Sequence, residues 1–286
     1  MWEQMNRTAV DLFQNGKYDE ALAMGEKALA EAEKTFGPDD PRVARSLNNL
    51  AEMHRSGVRY SEAEPLWRRA LEIREKTLGK DHPDVAVSLN NIAGAYFEQG
   101  RFDEAEPLFR RALRILEKAL GPDHPDLAAS LCNMAALNRA VGKYPAAKPL
   151  YDRALTILEK ASGPDSPQVG GVLNDLAGLY ESQQRYADAE PLYRRSLVIA
   201  EKTFGPYHPH VAASLGNLAL TLSGLKKYEE AEPLMLRAQK ILETNFGENH
   251  RLTATGLENL AEFYEGTGRI EEARAIKNRA AEIRGR

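Results

Sequence analysis

The sequence predicts an all-α chain in which about seven helix–turn–helix units follow one another as an α-solenoid. Three observations lead to this prediction. Small and apolar residues recur every 42 residues, each period holds two segments with amphipathic helical spacing, and glycine and proline mark the segment ends. One helix pair cannot bury both of its faces, so neighbouring units must stack. We therefore expect a single domain over 1–286.

The 42-residue period is visible as columns of identical residues. Five prolines keep this step: Pro41, Pro83, Pro125, Pro167 and Pro209. Six glycines keep it as well: Gly37, Gly79, Gly121, Gly163, Gly205 and Gly247. The period predicts repeat units at approximately 1–40, 41–82, 83–124, 125–166, 167–208, 209–250 and 251–286.

The first helix of each unit is predicted from apolar spacing. In the second unit Val43, Leu47, Leu50 and Ala51 lie at offsets of 0, 4, 7 and 8, which places them on one helical face. A break near Gly57 ends this helix. The opposite face is polar and carries Arg45, Asn48, Asn49, Glu52 and Ser56.

A second, longer amphipathic helix follows, with Trp67 on its buried stripe. We expect it to end at Gly79, in a left-handed cap. Asp81 or His82 can cap the next helix, and Pro83 suits its first turn because the missing N–H costs nothing there.

Alternation of small and large residues predicts the packing between units. Ala51 and Ala63 allow two helices to approach closely, while large side chains fill the space between neighbouring pairs. One aromatic column is expected in the core: Trp67, Phe109, Tyr151 and Tyr193. Lys277 continues this column in the last unit, which suits a helix without a following neighbour. Trp2 and Met5 are expected to cover the first interface.

Composition excludes several classes of protein. With 43% hydrophobic and 28% charged residues, the chain is expected to bury a core rather than to be disordered. A formal net charge of −4 argues against nucleic-acid binding. The single cysteine, Cys132, can form neither an internal disulfide nor a cysteine-based zinc site. No long apolar run or signal-peptide pattern is present, so we expect no membrane association and a cytoplasmic location.

The repeated motifs resemble tetratricopeptide repeats of the 42-residue variety found in kinesin light chains. The third unit shows the motifs most fully: Leu89-Asn90-Asn91-Ile92-Ala93, Tyr96, Gly100-Arg101-Phe102, Glu104-Ala105-Glu106-Pro107-Leu108-Phe109-Arg110-Arg111-Ala112-Leu113 and Leu120-Gly121-Pro122-Asp123-His124-Pro125. The resemblance covers nearly the whole chain. It implies a right-handed superhelix whose first helices line a concave groove for extended peptides or partner segments. This sequence shows no N-terminal heptad segment that would pair with a motor heavy chain, so the resemblance does not imply motor association.

Asparagines on the first helices are the leading candidates for ligand contacts. One column holds Asn49, Asn91, Asn133, Asn217 and Asn259, with Asp175 at the fourth place, and the column before it holds Asn48, Asn90 and Asn174. Asparagine is a mediocre helix former, so a column of them invites a reason other than helix stability. Each amide can both donate to and accept from a peptide main chain. The resemblance implies the same use, whereas the alternative is that the amides bond between neighbouring repeats or face water.

Charge along the predicted groove is uneven. Arg45, Arg55 and Arg139 lie in the first half, and Phe97 offers an apolar anchor there. The acidic residues of the second half are Asp175, Glu181, Glu258, Glu262 and Glu265. One hypothesis is that acidic residues of a ligand bind the first half. A mixed-charge, solvated surface is the alternative.

The fourth unit departs from the repeat. Ser166 replaces the recurrent histidine, Gln184 the recurrent glycine, and Gly170-Gly171 interrupt the first helix of the next pair. These glycines fit close approach of a ligand, a flexure point or ordinary drift. The recurrent histidines are one repeat apart, too far to share a metal, and are expected to cap helices: His82, His124, His208 and His250.

Three classes of function follow. The leading one is a non-enzymatic scaffold or adaptor that binds a protein or peptide in the asparagine-lined groove, as a monomer or weak homo-oligomer. The alternative is a structural array, or an arm of a larger regulatory protein, that associates through its ends or convex face. An enzyme is the weakest, because no phosphate loop, nucleophile elbow or metal-ligand spacing is present, and we expect no cofactor or metal.

Overall fold

A computed structural model describes residues 1–285. These residues form fourteen α-helices and no strand. The first helices of the successive pairs are α1 (Trp2–Gln14), α3 (Pro41–Ser56), α5 (Pro83–Glu98), α7 (Leu127–Ala140), α9 (Pro167–Glu181), α11 (Pro209–Gly224) and α13 (Arg251–Gly266). The second helices are α2 (Tyr18–Phe36), α4 (Tyr60–Leu78), α6 (Phe102–Leu120), α8 (Tyr144–Ser162), α10 (Tyr186–Phe204), α12 (Tyr228–Phe246) and α14 (Ile270–Arg284). The all-α solenoid class is confirmed.

The helices form two compact units, Met1–Val141 and Gly142–Arg286. In the first compact unit, α1 packs on α2, α3 on α4 and α5 on α6. The second helix of each pair also packs on the first helix of the following pair. The second unit repeats this arrangement with α9 and α10, α11 and α12, and α13 and α14. Within a unit, first helices also touch one another, as α11 and α13 do. The single domain over 1–286 and the boundaries of the seven 42-residue repeat units remain predictions.

Side chains cap five of the first helices: Asp40, His82, Ser166, His208 and His250. His82 Nδ1 accepts a hydrogen bond from the backbone N–H of Asp84 at 3.1 Å, which makes His82 rather than Asp81 the cap of α5. Asp81 instead accepts from Lys118 Nζ at 2.5 Å. Ser166 takes over the capping role where the histidine is missing. The helix α7 differs, because it begins at Leu127, two residues after Pro125, and has no side-chain cap. The expectation that His124 caps this helix was therefore wrong: its Nδ1 accepts from the backbone N–H of Asp126, before the helix begins.

The recurrent glycines after the second helices have positive φ, but they are not left-handed caps as the sequence predicted. Gly79 has φ of 91° and ψ of 155°, and Gly121 has φ of 89° and ψ of 164°. This is the extended region at positive φ that essentially only glycine occupies. The chain therefore leaves the helix at once and extends towards the next cap.

The core contains the residues that the columns predicted. Ala51 and Ala63 are fully buried, and Trp67 lies between helices with none of its surface exposed. The rest of the aromatic column is buried as well: Phe109, Tyr151 and Tyr193. At the start of the chain Trp2 is buried and donates from Nε1 to Ser46 Oγ at 2.8 Å, while Met5 packs beside it. The interface between α1 and α3 is thus covered as expected.

Candidate functional site

In each compact unit the asparagine column lies on one side of the first helices, which we call the ladder face of that unit. It holds Asn49, Asn91 and Asn133 in the first compact unit, and Asn217 and Asn259 in the second. All five side chains are half-buried. The helical repeat places them there because the apolar residues on either side, such as Leu47 and Leu50 around Asn49, point into the core. The amides therefore sit at the border between core and solvent.

Three of these asparagines bond to the preceding helix pair. Asn91 Nδ2 donates to Asn48 Oδ1 at 2.8 Å, and Asn217 Nδ2 donates to Asn174 Oδ1 at 2.9 Å. Asn49 Nδ2 makes the same bond to Asn6 Oδ1 at 3.2 Å. Bonding between neighbouring repeats, one of the uses left open by the sequence, is therefore present. Each donor amide keeps its second N–H and its oxygen for a further partner.

The remaining asparagines depart from this pattern. Asn90 donates from Nδ2 to Ser130 Oγ at 2.7 Å, and its Oδ1 is buried with no hydrogen-bond partner among residues 1–285. Asn133 and Asn259 make no side-chain hydrogen bond within that same range. For Asn259 the reason is plain, because the position of its partner is occupied by Gly216. The ladder face therefore carries amide groups that no neighbour satisfies.

The three predicted arginines have different surroundings. Arg55 donates to both Glu52 and Glu98, and these carboxylates raise the pKa of its guanidinium. Its charge is thus balanced within the chain. Arg45 is exposed, lies 4.5 Å above the Trp2 ring and is 3.8 Å from Glu3. Arg139 has no carboxylate partner in the described part of the chain.

A fourth arginine, next to the first helix α5, was missed by the sequence analysis. Arg74 of α4 donates from Nη1 to Ser88 Oγ at 2.6 Å and to the Asp84 carbonyl at 3.2 Å. Burial lowers the pKa of Arg74, and no carboxylate within the described residues lies within ion-pair distance. The signal was present in the sequence, since Arg74 stands in a column that holds alanine or leucine in five of the other repeat units: Ala32, Leu116, Leu158, Ala200 and Leu242.

Other predicted site residues are less open than expected. The ring of Phe97 packs 5.5 Å from that of Phe102 and is half-buried. Glu181 accepts from the Tyr193 hydroxyl at 2.9 Å. Glu258 pairs with Arg284, which lowers the pKa of that carboxyl. Much of the predicted acidic half is therefore engaged within the second compact unit.

The two glycines of the fifth first helix differ from one another. A Cβ at Gly170 would lie 2.9 Å from Ile199 Cγ2, so this glycine is required by helix packing. A Cβ at Gly171 would meet nothing within 4 Å. Only Gly171 therefore leaves room beside the ladder face.

Comparison with known families agrees with this architecture. The family model described as Tetratricopeptide repeat matches 4–57, 58–118, 84–160, 168–244 and 221–286. The chain belongs to the tetratricopeptide repeat family. Members of this family are typically protein–protein interaction scaffolds and are generally not catalytic. A comparison with curated proteins gave no match.

Solved structures show the same fold. BtubC (BKLC) from P. vanneervenii is 24% identical, with a TM-score of 0.69 over 79% of this chain and 91% of that one. The nearly identical TPR-like repeats of a kinesin light chain candidate from Podospora anserina are 27% identical, with a TM-score of 0.59 over 71% of this chain and 96% of theirs. The apo quorum sensor NprR from B. thuringiensis is 18% identical, with a TM-score of 0.74 over 98% of this chain and 75% of that one. The kinesin-light-chain-like character of the repeats is thus confirmed.

Two properties of residues 1–285 bear on the site. No helix in this range is both long and apolar enough to cross a bilayer. No group of three or more histidine, cysteine, aspartate or glutamate side chains in this range could hold a metal ion.

Proposed function

We propose that the chain is a non-enzymatic scaffold or adaptor whose ladder face binds a protein or peptide segment, in the cytoplasm and as a monomer or weak homo-oligomer. The observation that carries this proposal is the set of half-buried amides with unused donors and acceptors, one in each of five helix pairs. Scaffolding is also what the family typically does. Because main-chain groups are common to all peptides, such a row fits recognition of a backbone in extended conformation.

The cross-repeat bonds support this proposal rather than compete with it. A bond such as that from Asn91 Nδ2 to Asn48 Oδ1 fixes the orientation of both carboxamides before any ligand arrives. A ligand then loses less free energy in ordering the side chains that it meets. The ladder face is therefore prepared for binding by contacts within the array.

Three cations give the ladder face of the first compact unit a preference for acidic ligands. Arg45 and Arg139 are the two predicted arginines whose charge is least balanced, and Arg74 adds a half-buried guanidinium without a carboxylate. Charge-assisted bonds to a carboxylate are stronger than neutral ones, and more so where water is partly excluded. We propose that acidic side chains of the ligand lie along this part of the face.

The proposal is tested with peptides selected from a displayed random library. The affinity of a selected peptide is measured by fluorescence anisotropy for the wild type and for the triple variant Asn49→Ala, Asn91→Ala and Asn133→Ala. We expect a loss of at least about tenfold, since each lost amide contact is worth roughly 0.5–1.5 kcal/mol. A second triple variant, Arg45→Glu, Arg74→Leu and Arg139→Glu, is expected to lose acidic peptides selectively.

The matched control changes asparagines that lie off the ladder face. Asn245 is on α12 and Asn278 on α14, and both are exposed. The double variant Asn245→Ala and Asn278→Ala should bind the selected peptide as the wild type does. Equal affinity of the ladder variant and the control, with both folded by circular dichroism, would refute the ladder face as the binding surface. Failure to select any peptide would refute peptide binding itself.

A further inference from the structure

Three departures from the repeat meet at one place in the second compact unit. Gly216 stands in a column that most often carries asparagine: Asn6, Asn48, Asn90 and Asn174. Gln239 stands in a column that carries leucine in all five earlier units: Leu29, Leu71, Leu113, Leu155 and Leu197. Gly256 stands in a column that carries serine in four units: Ser46, Ser88, Ser130 and Ser214. All three residues line the same pocket.

The pocket lies between α11 and α13, with α12 behind it, and has a volume of about 370 Å³. Its walls are apolar and include Met235, Leu242 and Leu252. The ladder asparagines Asn217 and Asn259 also line it. A Cβ at Gly216 would meet nothing within 4 Å, so the missing side chain leaves open space. The volume falls at the small end of the range for ligand pockets, which suits a single inserted side chain.

Gln239 supplies the polar group of this pocket. The residue is 6% exposed, and its Oε1 is buried with no hydrogen-bond partner among the described residues. Its Nε2 donates to Glu243 Oε1 at 3.1 Å. This bond assigns the oxygen to the other end of the amide, because two acceptors would otherwise face each other. Oε1 lies against Gly256, where a Cβ would collide with it.

These features define the chemistry of the missing partner. The apolar walls favour a neutral body, because a charge in such surroundings is costly. The unpartnered Oε1 of Gln239 at the base of the pocket requires a hydrogen-bond donor. Because Gln239 belongs to α12, which lies behind α11 and α13, that donor must be at the far end of the inserted group. A phenol combines an apolar ring with an O–H at its far end.

We propose that this pocket receives a phenolic side chain of the bound peptide. The ring packs against Met235, Leu242 and Leu252, and the hydroxyl donates to Gln239 Oε1 after a small rotation of the carboxamide about its soft terminal torsion. The amides of Asn217 and Asn259 are then next to the peptide main chain. This inference rests on the proposed function, since it assigns one side chain to a peptide on the ladder face.

The test measures binding of p-cresol to the full chain by nuclear magnetic resonance, with 4-methylanisole as the matched probe that lacks the donor. We expect shifts at the amide signals of Gly216 and Gly256, and an affinity for p-cresol about fivefold higher than for 4-methylanisole, as one hydrogen bond provides. Equal binding of the two probes, or no shifts at these signals, would overturn the proposal.

Two variants restore residues that the array uses elsewhere and are therefore expected to fold. Gly216→Asn fills the open space, and we expect it to abolish binding of both probes. Gln239→Leu removes the acceptor, and we expect it to retain 4-methylanisole binding while losing the fivefold preference for p-cresol. Gly94→Asn is the control, because a Cβ at this glycine of α5 also meets nothing within 4 Å. Unchanged p-cresol binding in Gly216→Asn would overturn the proposal.

A peptide arm separates a peptide side chain from a free phenolic compound. The probes are two acetylated and amidated pentapeptides, with tyrosine or phenylalanine at the centre of four glycines. We expect the tyrosine peptide to bind several-fold more tightly than p-cresol, and the phenylalanine peptide more weakly than the tyrosine peptide. Binding of p-cresol without binding of the tyrosine peptide would overturn the assignment to a peptide. The ladder variants at Asn49, Asn91 and Asn133 lie outside this pocket, so their test is independent of it.

Discussion

The bond between Asn48 and Asn91 gives a prediction that isolates one link between helix pairs. Asn91 Nδ2 donates to Asn48 Oδ1 at 2.8 Å, and both side chains are half-buried. We consider the two single changes to alanine and the double change, which together form a double-mutant cycle. The cycle removes the contribution of each residue alone and leaves the energy of the pair.

The magnitude follows from two opposing effects. Loss of a neutral hydrogen bond costs about 1 kcal/mol in free energy of unfolding, while replacing asparagine by alanine within a helix recovers about 0.5 kcal/mol. Asn91→Ala alone is therefore expected to destabilise the chain by about 0.5 kcal/mol. The helix-propensity gain is present in each variant and cancels in the cycle, so we expect a coupling energy of about 0.5–1 kcal/mol.

The assay is urea unfolding followed by far-ultraviolet circular dichroism. A control cycle uses Asn6 and Asn91, because Asn6 Oδ1 accepts from Asn49 and not from Asn91. The control should give a coupling energy near zero. A coupling for Asn48 and Asn91 no larger than that of the control would refute the view that these amides connect neighbouring repeats.

Three further predictions concern positions where the structure departs from the repeat. Gly171→Ala should stabilise the chain by about 0.5–1 kcal/mol, because the added Cβ has no neighbour within 4 Å. Gly170→Ala should destabilise the chain by about 1 kcal/mol, because Ile199 must move. The urea midpoints of the two variants are compared with that of the wild type. Val58 has φ of 60°, so Val58→Gly should raise the free energy of unfolding by about 1 kcal/mol in the same assay. Hydrogen bonds from the Arg42 side chain and backbone lower the pKa of Asp40 from 3.8 to about 2. The contribution of ionised Asp40 to the free energy of unfolding is therefore complete above pH 3.8 and is lost as the pH falls through about 2. Carbon-13 titration should give that value, and Asp40→Asn should flatten the acid dependence of the urea midpoint.

The fold could be predicted from the sequence because the same local signals occur in every period. Ala51 and Trp67, for example, are buried where the columns placed them. The glycine caps were wrong in detail, since Gly79 has an extended ψ of 155° that no residue pattern distinguishes from a left-handed cap. Periodicity gives the helix and its face, but it does not give the path by which the chain leaves a helix.

The candidate site was only partly accessible from the sequence. The columns placed the asparagines on one face, but the partner of Asn91 became clear only when the rotation of each helix against the next was known. The neutralisation of Arg55 by Glu98 likewise depends on two residues 43 positions apart that one repeat cannot show. The cavity beside Gln239 arises from three substitutions on three different helices, which meet only in the folded array.

Site-specific photo-crosslinking of a selected peptide tests directly whether the ladder face is the binding surface. One crosslinker replaces Val87, which is 45% exposed and lies one turn before Asn91 on α5, the first helix of its pair. Another replaces Arg110, which is exposed on the second helix α6. We expect crosslinking of the peptide from position 87 and not from position 110. Crosslinking from position 110 without crosslinking from position 87 would contradict binding on the ladder face.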